Sequence, residues 1–273
     1  MLPLMVCAAF GEAKAAKVLL ENGADPNAAA PSGQFLETAV QNGHVEVAKL
    51  LRAAGAKGAS DLAFAISTKD VREIERLLQS APRFADQPEF WSKALLIAAR
   101  SGQIHAVRVA LDKGVPPHPD GEADAIAAAA FEGQHEVLAE FLSRRPRSSN
   151  PAELRQSLWN AILNSCPSPG QRPAKDFEQC VKLLLEAGAP VVDSDGHNEL
   201  AFTAVFTRKS GGNPKVLEML VAAGADSNPA IAGDQSQRLS IQIEHACSER
   251  SFSIPSEETI KTFEKLAKVT IKR

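Results

Sequence analysis

The chain has no tyrosine and two tryptophans, and with twelve phenylalanines its aromatic share is only 5% of 273 residues. A β-sandwich, which fills the space between its sheets with β-branched and aromatic side chains, is poorly served by this composition. Cysteine is sparse: Cys7, Cys166, Cys180 and Cys247 stand far apart with no C-x-x-C pair. That spacing argues against a disulfide framework or a zinc knuckle and fits a reducing compartment. The net charge of −3 supplies no general attraction to phosphate backbones, so nucleic acid is not an expected partner. Long apolar runs are missing too, because residues 4–10 and 125–131 fall far short of the roughly 20 residues of a membrane span. Residues 1–10 lack the leading Lys or Arg of a secretory leader and run at once into Glu12, so the expected location is cytoplasmic, with the nucleus also open and no membrane as partner.

What is present is a 44% hydrophobic content, enough for a sizeable core. Ala, Leu and Val must fill it, and small side chains suit close helix-on-helix contact, so the composition predicts an all-α fold. Internal repetition sharpens this. The segment Gly11-Glu-Ala-Lys-Ala-Ala-Lys-Val-Leu-Leu-Glu-Asn-Gly23 is echoed 32 residues on by Gly43-His-Val-Glu-Val-Ala-Lys-Leu-Leu-Arg-Ala-Ala-Gly55. The 12-residue glycine interval recurs from Gly102 to Gly114, and Gly133 follows Gly102 by 31. Further copies end at Gly188 and Gly224, and a degenerate one covers residues 70–78. Each copy reads as a first helix rich in alanine, a glycine turn, and a second helix closed by another glycine. Where Gly-Ala-Asp-x-Asn follows, at residues 23–27 and 224–228, Asp and Asn side chains can bond nearby amides and fix the turn into the next unit. A single helix pair cannot bury its own face, so the repetition predicts stacking.

These residues resemble the ankyrin repeat along nearly the whole chain. Gly43-His44-x-Glu46-Val47-x-Lys49-Leu50-Leu51 is similar to the family's second helix, and Asn22-Gly23-Ala24-Asp25-Pro26-Asn27 to its hairpin. The Thr-Pro-Leu-His opening of the first helix survives only as Leu2-Pro3-Leu4-Met5 and as Gln34-Phe35-Leu36-Glu37, and Pro82 and Arg145 stand where a terminal glycine is expected. The resemblance implies an all-α ankyrin-repeat solenoid of about seven to eight helix-turn-helix units with short hairpin loops. The expected unit borders are 1–28, 29–57, 58–85, 86–117, 118–152, 153–192 and 193–229, forming an array over 1–229 with 230–273 as a terminal capping helix pair. The final helix is expected to start at Pro255-Ser256-Glu257-Glu258, with Ile260, Phe263 and Leu266 on one face and Lys261, Lys265 and Lys268 on others. The chain opens inside the first-helix motif, which reads either as the C-terminal part of a longer array or as a degenerate cap.

No catalytic constellation emerges. His44, His105, His118, His135, His197 and His245 sit mostly at or near turns, where His44 fills the Gly-His position, and no nucleophile motif or H-E-x-x-H accompanies them. Ser210-Gly211-Gly212-Asn213-Pro214 is not followed by the Gly-Lys-Ser/Thr of a phosphate loop. Glu136 and Glu140 lie one helical turn apart, which fits a water-facing side better than a carboxylate pair. No enzyme activity, metal or cofactor is therefore expected. Two features exceed the repeat: an insertion of eleven residues around 166–175, containing three prolines, and the basic run Arg144-Arg145-Pro146-Arg147-Ser148-Ser149.

The expected function is that of a scaffold binding another protein on the concave face of a monomeric array. Side chains not needed for stacking are available for recognition there. Counting back from Gly43, Gly102 and Gly133, the last two positions of each first helix face the groove: Gln41 and Asn42, Arg100 and Ser101, Phe131 and Glu132. Glu89, Phe90 and Trp91 are candidates on the hairpin side, with packing between helices the equal alternative for Trp91. A regulatory or sensing arm of a larger enzyme or receptor is the second reading.

Overall fold

The computed structural model describes residues 2–28, 34–81, 83–116, 125–144, 151–165, 174–192, 199–206, 212–228, 230–231, 234–240, 242–243, 255–269 and 271. Two compact units divide the chain, Met1–Ala125 and Ile126–Arg273.

The first unit holds four helix pairs: α1 (Pro3–Phe10) and α2 (Ala13–Glu21), α3 (Phe35–Gln41) and α4 (Val45–Ala53), α5 (Asp61–Thr68) and α6 (Val71–Gln79), and, after a short 3-10 turn, α7 (Pro88–Ser101) and α8 (Ile104–Asp112). Helix α1 packs on α3, α3 on α5 and α5 on α7, while α2 packs on α4. The core between them is built largely from Ala and Leu, with Leu4, Leu36, Leu51, Leu62 and Leu95 all buried. Apolar residues three and four apart on each helix produce that inward stripe.

The second unit contains α9 (Ala125–Phe131) and α10 (His135–Ser143), α11 (Pro151–Asn164) and α12 (Ala174–Glu186), and α13 (Glu199–Val205) and α14 (Pro214–Ala222). Here α10 packs on α12, α11 on α13 and α12 on α14. The segment expected to supply a terminal helix pair holds a small antiparallel hairpin, β1 (Ala230–Ile231) with β2 (Asp234–Arg238), and one long helix, α15 (Glu257–Ala267), which packs on α14. As its sequence indicated, α15 is capped by Ser256, whose Oγ accepts the Thr259 amide at 3.2 Å, and it buries Ile260 and Phe263. Leu266 is half-buried, and Lys261, Lys265 and Lys268 are exposed.

The Asp-x-Asn turns do what their chemistry allows. The Asn27 amide donates to Asp25 Oδ1 at 2.9 Å, while its side chain donates to the Gly55 carbonyl at 3.0 Å and accepts the Lys57 amide at 2.8 Å. One asparagine thus folds its own turn and fastens it to the next. In the second unit the Asn228 amide donates to Asp226 Oδ1 at 2.9 Å, and Asn228 Oδ1 accepts the Ser240 amide at 2.9 Å. His44, immediately before α4, ties its turn back to α1: its Nε2 donates to the Ala9 carbonyl at 3.0 Å. The ring lies against Gly11, where a Cβ would come within 2.7 Å of it and where φ is +80°, so both space and backbone call for glycine.

At the corresponding turn of the third pair no glycine is present, and Lys69 adopts φ +61°. A non-glycine residue in that region carries about 1–2 kcal/mol of steric cost, partly offset by the extra unfolded-state freedom of glycine. Lys69→Gly is therefore expected to stabilise the chain by about 0.5–1 kcal/mol, read as a higher urea midpoint at unchanged slope. The lost Thr and His of the first-helix motif have their counterpart as well: neither Leu2 before α1 nor Gln34 before α3 makes a side-chain capping bond. Pro82 and Arg145, the other departures from the glycine pattern, lie outside the described residues.

Candidate protein-interaction surface

The residues proposed for recognition in the first unit cluster around α3 and α7. Gln41 closes α3 and is half-buried, and its Nε2 donates to Glu37 Oε1 at 3.2 Å. Its backbone carbonyl accepts from Arg100 Nη1 at 2.8 Å, placing a guanidinium at the negative end of the α3 dipole. One turn back on α3, Glu37 receives Lys93 Nζ at 3.4 Å. Two bonds from α7 thus reach α3 past the intervening α5. Asn42 and Glu89 are exposed, and Ser101 is half-buried.

Glu89, Phe90 and Trp91 are not on a hairpin. Helix α7 starts at Pro88 and runs for 14 residues, so all three lie in its first turn. Proline at a helix start is favoured, because its fixed φ suits the helix and its missing N–H would have no partner there. Once helical, this stretch points Trp91 inward, where it is 1% exposed. Trp91 is therefore a core residue and leaves the set of recognition candidates. The half-buried Phe90 meets it edge-on, with ring centroids 5.7 Å apart at 88°, and Lys113 Nζ lies 5.6 Å from the indole centroid.

Beside the α7-to-α3 bonds lies a cleft of about 150 Å³. Val40, Ala63 and Ile97 form its apolar floor and Phe90 one wall, while Glu37, Gln41, Ser60 and Lys93 stand at its polar mouth. Beyond Phe90 is a more open depression of about 480 Å³, which shares Phe90 and Lys93 with the cleft and adds Asp86, Pro88 and Glu89.

In the second unit, Phe131 ends α9 and is 48% exposed, and Glu132 beside it is half-buried. The counting rule that selected Phe131 also selects Phe10, the last residue of α1 before Gly11. At 69% exposed it is more open than Phe131. Glu136 is exposed, as expected of a water-facing side, whereas the Glu140 side chain is only 13% exposed and accepts from Arg144 Nε at 2.8 Å. Residues 166–173 of the insertion and 145–149 of the basic run lie outside the described residues.

Among the described residues no cluster of His, Cys, Asp and Glu is arranged to hold a metal ion, and no helix is long and apolar enough to cross a membrane. Cys7 and Cys180 are buried and not joined in a disulfide. Burial, and then the nearby Glu12 carboxylate, push the Cys7 pKa up, with a backbone hydrogen bond acting against them. In a C166S/C247S background neither remaining thiol is expected to react with a disulfide reagent at neutral pH until denaturant is added, because attack needs an accessible thiolate. Rapid labelling of the folded protein would contradict that burial.

Successive helix pairs, most of them turning on glycine and two of them followed by an asparagine-fastened turn, define a helical-repeat protein. Residues 1–30 match the family model described as Ankyrin repeat. The matched stretch is the α1–α2 unit with its Asn27 turn. Among solved structures it is similar to the ankyrin repeat domain of human ASB11, at 21% identity over 97% of this chain and 98% of that one, with a TM-score of 0.46. It is also similar to the ankyrin repeat domain of Bcl-3, a member of the IkappaB protein family, at 18% identity over 97% and 98% of the respective chains, with a TM-score of 0.40. No curated protein matches the chain.

Proposed function

We propose that the chain is a non-enzymatic scaffold whose partner, another protein, lies on the ends of the first helices. Ankyrin repeats serve in general as protein-protein interaction modules. The observation carrying the reading is the placement of large aromatics within the last two positions before the turn glycine: Phe10, one residue before Gly11, and Phe131, two before Gly133, are 69% and 48% exposed. Packing leaves much of each ring in water, and aromatics held open to water are the residue type that anchors interfaces. The array is taken to extend to residue 229. Residues 230–273 are its terminal cap, since α15 rests on α14 and keeps its lysines in water.

A photo-crosslinking amino acid at positions 10 and 42 should capture a common partner, while the same group at positions 14 and 46 on second helices should not. Equal capture from both faces would overturn the reading. Phe131→Ala is expected to leave stability within about 1 kcal/mol of the parent and to weaken the partner by about 1–3 kcal/mol. A drop of about 3–5 kcal/mol in stability would instead mark the ring as core.

A further inference from the structure

The third helix pair is where the first unit departs most from its own pattern. Helix α5 has eight residues and closes on Lys69 in place of glycine, and the 14-residue α7 that follows reaches past it to Glu37 and Gln41. The cleft over Ala63 lies beside that crossing. Its size decides what it can hold. A volume of about 150 Å³ equals that of a cavity able to take one benzene ring, and it is half the roughly 300 Å³ at which small-molecule sites begin. That is small for a nucleotide-sized cofactor and matches one phenyl or leucine side chain. The buried Val40, Ala63 and Ile97 suit such a group, and Glu37, Gln41 and Ser60 at the mouth offer acceptors to the backbone on either side of it.

Charge selects the flank. On the far side of Phe90 the open depression presents Asp86 and Glu89, both exposed and unpaired among the described residues, whereas its lysine, Lys93, is already held by Glu37. Arg83, the nearest other cation in sequence, does not line it. A residue next to the anchor in an extended chain therefore meets uncompensated negative charge.

We propose that the cleft is the anchor socket of a linear-peptide site. It takes one phenylalanine or leucine of an extended segment of a partner protein, and a Lys or Arg within two residues of that anchor lies against Asp86 and Glu89. The assignment rests on the protein-binding reading above and names the chemistry of the partner.

The test selects a phage-displayed library of random twelve-residue peptides on the full chain, then measures the enriched peptides as synthetic probes. Enrichment of Phe or Leu with Lys or Arg within two residues is expected. Ala63→Leu fills the floor of the socket and should weaken those probes at least ten-fold. The double exchange Asp86→Lys, Glu89→Lys alters only exposed side chains and should weaken them to a similar degree, with unfolding unchanged in circular dichroism. The charge exchange serves as the control should Ala63→Leu disturb folding. Enriched peptides without the basic flank, or binding within two-fold of the parent on the charge-exchanged chain, would overturn the socket while leaving a protein-binding function in place. Loss of the aromatic-face crosslinks described above would overturn that broader reading separately. Failure to enrich any peptide would overturn the socket as well.

Discussion

Trp91→Ala is expected to destabilise the chain by about 3–5 kcal/mol, the usual cost of removing a large aromatic from a closed core. The indole is 1% exposed on the first turn of α7. Its removal opens a cavity on the helix that packs against both α5 and α8. The edge-on contact with Phe90 would be lost too, a term of about 0.5–1.5 kcal/mol beyond area alone. Trp91→Phe keeps much of that volume and should cost roughly half as much. Because repeats couple chiefly to their neighbours, the damage should concentrate in α5 to α8. Amide exchange there should accelerate well before that of α14. Urea unfolding followed by circular dichroism measures the total, and a loss under about 1 kcal/mol would return Trp91 to the surface.

The contrast between Trp91 and Phe131 shows where sequence periodicity is informative. Phe131 was legible because its neighbours in Ala127-Ala128-Ala129-Ala130 are small, with Ala129 and Ala130 buried to 0%. A core that closes on alanine has no room for a ring one residue further on. The Asp-x-Asn turns were legible because their hydrogen bonds run two residues along the chain, within reach of local pattern. Trp91 was ambiguous for the opposite reason. Its orientation depends on α7 beginning at Pro88, and a frame shift of about two residues, half a helical turn, reverses inside and outside. Arg100 was placed on the recognition surface by register alone. Its bond to the Gln41 carbonyl spans 59 residues, and such a contact, like the cleft beside it, is a product of how helices pack.

Asn213→Ala is the other substitution expected to cost heavily, about 2–4 kcal/mol. The side chain, 5% exposed, serves three groups, on α14, on α12 and just past the end of α11. Its Oδ1 caps α14 by accepting the Val216 amide at 3.2 Å, and its Nδ2 donates to the Ser165 carbonyl at 3.0 Å and to Glu178 Oε1 at 3.3 Å. Loss of the cap accounts for about 1 kcal/mol, and a buried carbonyl left unpaired for a further 1–3. The sequence showed Asn213 only as part of a failed phosphate loop, since neither Ser165 nor Glu178 is near it along the chain. Replacement by aspartate separates the two contributions. N213D keeps the capping oxygen, but it turns the donor into an acceptor facing a carbonyl and the Glu178 carboxylate. Repulsion and burial raise the folded-state pKa of the introduced group above its unfolded value. Its neutral form is therefore the one the fold tolerates, and stability falls as pH rises through the carboxylate range. N213D should lie closest to the parent near pH 4 and furthest from it at neutral pH, whereas the deficit of N213A should change little between the two. Parallel pH profiles for both variants would show that the asparagine acts through its cap alone, and that the bonds to Ser165 and Glu178 contribute nothing measurable.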